Sequence, residues 1–181
     1  PPVEWTRIEG ELKPRSFNLL KEDLNPGGFF ENRHSYLYNN DVNLQFLRLE
    51  KKMDFFFRNA DGDEIYFIHE GNGICDSDFG RLHYKKGDYL VIPRGTVYQL
   101  LPKEPTKALI IECKEEVRLP EKGMLGQHAL FDPAVLKVPN PNEFHAAKKD
   151  EQEEYKLTIK RAGKLTHVYY PFCPSNVSPL P

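Results

Sequence analysis

Residues 59–100 restrict the fold more than any other stretch, because their side chains alternate at strand spacing and the run is broken by glycine turns. Glu64, Tyr66 and Ile68 fall on one face of an extended segment, and Ile65, Phe67 and His69 on the other. Asp61-Gly62 before it and Gly71-Asn72-Gly73 after it are turn residues, since they tolerate positive φ. Lys86-Gly87-Asp88 then leads into Tyr89-Leu90-Val91-Ile92. Pro93 has no N–H for a ladder and ends that strand. Residues 41–49 alternate as well, with Val42, Leu44 and Phe46 on one face and Asn43, Gln45 and Leu47 on the other. Residues 53–58 read as a short aromatic strand, and residues 107–114 as a buried strand with charge at both ends. Two further strands, 155–161 and 165–170, join through Ala162-Gly163-Lys164 as a hairpin. With no long amphipathic helix and no internal repeat, the chain is predicted to be all-β.

The spacing of this stretch resembles the two motifs of the cupin superfamily, small β-barrels of the jelly-roll type. The first motif runs H-x-H, three or four residues, E, six residues, G; Glu64 and Gly71 match its second half. The second runs G-x-x-x-x-x-P-x-G-x-x-H; Gly87, Pro93 and Gly95 match, and Tyr98 stands at the histidine position. The paired histidines of the first motif fall near Arg58 and Ala60. A first-row metal in such a barrel needs about three or four N/O ligands, and Glu64 is the one motif ligand present. A metal-free barrel is therefore expected. Glu64, if ionised inside it, must be paired or hydrogen-bonded. Arg58 and Tyr98 are the expected partners, forming a polar structural cluster, with a residual small-molecule pocket as the functional alternative.

Composition excludes several classes. The chain of 181 residues is long enough for one self-supporting core. A net charge of −2, from 25 basic and 27 acidic residues, lacks the basic excess of a nucleic-acid groove. No apolar run is long enough for a membrane span. Cys75, Cys113 and Cys173 are odd in number, widely spaced and without C-x-x-C, which suits reduced thiols in a cytoplasmic protein. The chain opens at Pro1-Pro2 without a methionine, so a piece of something longer is expected.

Other residues invite chemistry and read better as structure. His69 lies opposite Glu64 by alternation, and a structural or surface role outweighs that of a ligand. His83, between Leu82 and Tyr84, shares a solvated face with Arg81 and Lys85. His34, His128, His145 and His167 show no metal spacing. Asp61-Gly62-Asp63-Glu64 lacks the rest of a calcium loop and reads as a turn. Cys113 reads as a small buried hydrophobe rather than a nucleophile.

A closer resemblance emerges at N-N-D-V (39–42), M-D-F-F-F-R-N-A-D-G-D-E (53–64), H-E-G-N-G (69–73), D-F-G (78–80) and G-D-Y-L-V-I-P-R-G-T (87–96). These runs resemble the N-terminal half of the homogentisate 1,2-dioxygenases. The resemblance implies Fe(II)-dependent cleavage of the homogentisate ring to maleylacetoacetate, in tyrosine and phenylalanine catabolism. It also implies a small aromatic acid substrate, a homo-oligomer (trimer or hexamer), and iron ligands in a second cupin outside this chain. No residue here matches one of those ligands. The expected organisation is an irregular N-terminal arm (1–40), a degenerate cupin barrel (41–114), an irregular connection (115–154), and an extra hairpin with a tail (155–181). The competing readings are a free-standing degenerate cupin that binds a small molecule or assembles, and a single-cupin isomerase, epimerase or small-acid binder using Glu64 and Tyr98 without metal.

Overall fold

The computed structural model describes residues 28–118, 133–143 and 153–176, with 6–7, 9–10 and 18–19. Among them, nearly all regular structure is strand. In chain order these are β1 (Arg33–Tyr38), β2 (Val42–Leu49), β3 (Phe56–Asn59), β4 (Asp63–Glu70), β5 (Asn72–Ser77) and β6 (Gly80–Lys85). They continue with β7 (Tyr89–Ile92), β8 (Val97–Pro102), β9 (Thr106–Cys113), β10 (Tyr155–Arg161) and β11 (Lys164–Tyr170). They form a five-stranded sheet in the order β1-β2-β9-β4-β7 and a six-stranded sheet in the order β11-β10-β3-β8-β5-β6. No helix among the described residues is long and apolar enough to cross a membrane.

The alternation read from the sequence decides which side chains meet between the sheets. In β9 every second residue is buried, Thr106, Ala108, Ile110 and Glu112. In β4 the buried set contains Glu64, Tyr66 and Ile68, so the face predicted for Glu64 points inward. In β2 the inward set is Gln45, Leu47 and Leu49, as pairing of Gln45 with Ile110 and Leu47 with Ala108 requires. The six-stranded sheet adds Phe57, Tyr98, Leu100, Cys75 and Tyr84 to one continuous core. Phe29, Met53 and Phe55 belong to the same core.

Three boundaries differ from the sequence expectation. The irregular arm expected over 1–40 ends in a strand: β1 pairs antiparallel with β2 and brings Arg33 to the barrel. A bulge between Ser35 and Leu37 interrupts its alternation, which hides the strand from a period-two reading. The C-terminal hairpin is no separate unit, because β10 pairs parallel with β3 and completes the six-stranded sheet. The expected tail begins packed: Cys173 and Ser175 are buried, and Cys173 joins Phe56, Val97, Tyr155 and Leu157 in a second cluster. In the irregular connection expected over 115–154, Pro133–Val135 form a turn of 3-10 helix, and residues 119–132 and 144–152 lie outside the described residues.

The turns follow residue chemistry. Ala162 and Gly163 both have positive φ (51° and 69°), the two-residue turn whose twist matches the flanking strands. The Asp61 carboxylate accepts hydrogen bonds from both of their backbone N–H groups, at 2.6 and 2.9 Å, tying the β10–β11 turn to the β3–β4 turn. Asp63 accepts the N–H groups of Arg94 and Val117, each at 2.7 Å. The acidic run 61–64 is thus committed to backbone amides and to the barrel interior, and holds turns rather than calcium.

Candidate functional site

Strand register creates an electrostatic problem in the middle of the barrel. Glu64 on β4 stands directly opposite Glu112 on β9, and both point inward. Two carboxylates side by side on adjacent strands repel, and burying either one without a partner is costly. The fold resolves this by inserting a cation from each sheet. Arg33 of β1 places Nη2 2.5 Å from Glu64 Oε1 and 3.9 Å from Glu112 Oε2. Lys160 of β10 pairs with the other side of Glu112. The four charges sum to zero.

Neutral groups satisfy what remains. Tyr98 donates its hydroxyl to Glu64 Oε2 at 2.6 Å. Tyr66 donates to the Tyr98 oxygen at 2.6 Å, and Arg33 Nη1 reaches the Tyr66 oxygen at 3.4 Å. Arg33, Tyr66, Tyr98 and Glu64 therefore form a closed ring of hydrogen bonds. From it a second branch runs outward: Arg33 Nε donates to Gln45, Gln45 Nε2 to Glu112 Oε2 (2.7 Å), and Asn59 Nδ2 to Glu112 Oε1 (2.8 Å). The Arg33 guanidinium also lies over the rings of Phe29 and Phe57, at 5.4 and 5.8 Å from their centroids.

The titration behaviour follows from this arrangement. Burial disfavours the Arg33 charge, but Glu64 and the two tyrosine oxygens outweigh it and hold the guanidinium more firmly protonated than usual. Burial, followed by the Glu64 charge, pushes the Tyr66 and Tyr98 hydroxyls well up, so both remain neutral donors. Burial raises Glu112, yet hydrogen bonds from Lys160 and Asn59 win and leave it below the ordinary carboxylate range. A depressed carboxylate contributes stability above its unfolded value, and that contribution is lost as pH falls through the folded one. Melting temperatures of the wild type and Glu112→Gln should therefore differ most near neutral pH. The gap should close as pH falls below the reference value of 4.5. A constant gap would show that Glu112 contributes nothing through its charge.

The sequence placed Glu64 and Tyr98 together, and the structure joins them. It does not place Arg58 with them. Arg58 sits across from Val97 on the outer face of the six-stranded sheet, near Asp78, and its buried Nε has no hydrogen-bond partner among the described residues. The inward residues of β3 are Phe57 and Asn59. They are the residues that the four-residue form of the first cupin spacing selects, whereas Arg58 and Ala60 follow from the three-residue form. A slip of one residue exchanges the two faces of a strand. The guanidinium partner is instead Arg33, which no motif marks. Glu112 was visible as a carboxylate at an inward position of an otherwise apolar alternating strand. Gln45 and Tyr66 were visible through alternation alone.

The remaining residues fall outside the site. His69 lies at the β4–β9 bulge on the face opposite Glu64. His83 is half exposed and meets Glu143 at 2.5 Å. His34 lies within β1, and His167 lies in β11 with Nδ1 3.0 Å from Thr158 Oγ1. His128 and His145 are outside the described residues. Cys113, at the end of β9, is only partly buried, and burial raises its thiol pKa away from thiolate reactivity.

Iron does not fit this interior. The motif carboxylate already has a guanidinium against one oxygen and a hydroxyl on the other. The histidine positions hold Phe57, Asn59 and Tyr98, and both tyrosines inside are held neutral. Among the described residues no group of three His, Cys, Asp or Glu side chains is arranged to hold a metal. Above Glu112 and Lys160 the barrel opens into a cleft of about 350 Å³, bordered by Tyr38, Asn43, Asp61 and Lys114.

Two facing sheets, antiparallel except for the parallel β3–β10 pair, with a polar ring in place of a metal define an all-β cupin barrel of degenerate type. The family model described as homogentisate 1,2-dioxygenase N-terminal matches residues 32–179, and the chain belongs to that family. A candidate dioxygenase of Saccharolobus solfataricus is 36% identical over 163 residues, covering 87% of this chain and 40% of that protein. Homogentisate 1,2-dioxygenase of Bradyrhizobium diazoefficiens is 28% identical over 146 residues, covering 76% of this chain and 32% of that protein. The chain thus spans well under half the length of these relatives. Among solved structures, a cupin-2 domain protein of Shewanella frigidimarina aligns with 45% of this chain and 78% of its own, at a TM-score of 0.41 and 25% identity.

Proposed function

We propose that this chain is the metal-free N-terminal barrel of a homogentisate 1,2-dioxygenase-like enzyme. In this reading the enzyme opens the homogentisate ring with O2 at a non-haem Fe(II), in tyrosine and phenylalanine catabolism in the cytoplasm. The iron ligands, two histidines and a glutamate, belong to a second cupin outside these 181 residues. The present barrel supplies scaffold, contacts within a homo-oligomer and a wall near the substrate. The observation that carries this reading is the ring around Glu64. Its fixed guanidinium supplies the positive charge that a metal would bring, so the barrel is complete as a structural body.

The test is oxygen uptake with homogentisate and ferrous iron, comparing the 181-residue chain with the product of the complete reading frame that contains it. Ring cleavage needs a metal that holds substrate and O2 together, with its full set of protein ligands. The short chain is expected to be silent and to hold far less than one iron after a chelator wash, while the complete product consumes O2. Turnover by the short chain would overturn the placement of the active site. A silent, iron-loaded complete product would favour a second reading, in which the barrel is a free-standing binding or assembly module. The cleft over Glu112 and Lys160 is the feature that favours that alternative.

A further inference from the structure

We propose that β11 is a self-pairing edge, through which two copies of this chain form a symmetric dimer with a sheet continuous across the two-fold axis. The inference begins with the other sheet edges. At β6, Arg81 and Asn140 exchange two backbone hydrogen bonds, and Gly80 sits so close to Asn140 and Pro141 that a Cβ there would clash. In the five-stranded sheet, β7 has four residues and is followed by Pro93, and β1 is bulged. These are the devices by which native sheets blunt their edges. β11 is followed by Pro171 but is neither short, bulged nor, among the described residues, covered. It pairs with β10 in an unbroken register over seven residues, contains no proline, and has no strand beyond it among the described residues.

Hairpin geometry identifies which of its backbone groups are free. Arg161 and Lys164 flank a two-residue turn and form the closing hydrogen-bonded pair. Alternation then directs the N–H and C=O groups of Lys164, Thr166, Val168 and Tyr170 toward β10. Those of Leu165, His167 and Tyr169 point away from it. The turn is also anchored, since Asp61 holds the N–H groups of Ala162 and Gly163.

An antiparallel copy can use these groups fully in one register. Centred on His167, it sets Leu165 against Tyr169, His167 against His167 and Tyr169 against Leu165. All three outward residues of both strands are then in hydrogen-bonded pairs. Moving the centre to Val168 brings Leu165 against Pro171, which has no N–H. Moving it to Thr166 brings Tyr169 against Gly163, whose N–H already serves Asp61. The side chains favour the same register. Leu165 and Tyr169, 44% and 53% exposed in the single chain, cover each other twice across the axis. Thr166 meets Val168, and Lys164 meets Tyr170, so no like charges are opposed at neutral pH.

The experiment combines sedimentation velocity over a concentration series with amide hydrogen exchange on the complete 181-residue chain. The sedimenting mass is expected to double with concentration. Protection of the Leu165, His167 and Tyr169 amides should rise with it, while Thr166, Val168 and Tyr170 stay protected throughout. His167→Pro removes an outward N–H without touching the β10 ladder. It should abolish the dimer and leave Thr166 and Val168 protected. If that variant fails to fold, the alternating, concentration-dependent protection in the wild type still decides. A chain that stays monomeric, or a dimer in which the three outward amides exchange freely, would overturn the proposal.

Discussion

Arg33→Met should lower stability by about 3–5 kcal/mol, because it leaves Glu64 buried with no cation and only a tyrosine hydroxyl for company. Such a loss is a large share of the 5–15 kcal/mol that roughly bounds domain stability. The Glu64 side chain is 1% exposed and that of Arg33 6%, so water cannot take over the lost contact. Two further variants make the result specific. Arg33→Met with Glu64→Leu removes both charges and should recover much of the loss, since a buried ion pair replaced by apolar groups is often neutral. Arg58→Met, on the outer face and outside the ring around Glu64, should shift stability by roughly 1 kcal/mol or less. The readout is the urea midpoint at neutral pH. A shift for Arg33→Met no larger than that for Arg58→Met would refute the central role of the ring.

The second large effect concerns Gly62 in the β3–β4 turn. A Cβ at this position would lie 2.2 Å from the carbonyl oxygen of Cys113 and 2.8 Å from its carbon. Both are backbone atoms at the end of β9, so relief requires the turn to move away from the strand. Asp63 pairs with Cys113, and Glu64 with Glu112, in the same ladder. Displacing the start of β4 therefore also misplaces Glu64 against Arg33 and Tyr98. Gly62→Ala should cost about 3 kcal/mol or more, at the upper end of overpacking effects. Gly87→Ala is the control. It has φ +89° but no atom within 4 Å of the added Cβ, leaving a conformational cost of about 1–2 kcal/mol. Equal urea midpoints for the two variants would show that the approach to Cys113 has no energetic consequence.

The two variants bear on different levels of the same barrel. Arg33 tests whether a charge imported from β1 neutralises the interior. Gly62 tests whether the close approach of the β3–β4 turn to β9 holds the carboxylates in register. Both lead to Glu64, which the sequence singled out, and neither role was marked by a motif.

What the sequence determined by itself was local periodicity. Alternation over residues 64–69 placed Glu64, Tyr66 and Ile68 on one face, the one they occupy, because a strand has a side-chain period of two and carries that parity wherever it goes. Glycine and proline marked the turns, because φ preferences act within one or two residues. The motif residues around Glu64 and Tyr98 were enough for the barrel and its family. Tertiary structure alone decided which elements face one another. Arg33 lies 31 residues from Glu64, and Lys160 lies 48 from Glu112, and no local rule pairs them. They meet because β1 docks on β2 and β10 docks on β3, which depends on the register of whole strands. Arg58 was misplaced for the related reason that a one-residue choice of spacing reverses the face. That parity is settled only when Phe57 pairs with Tyr98 across the ladder.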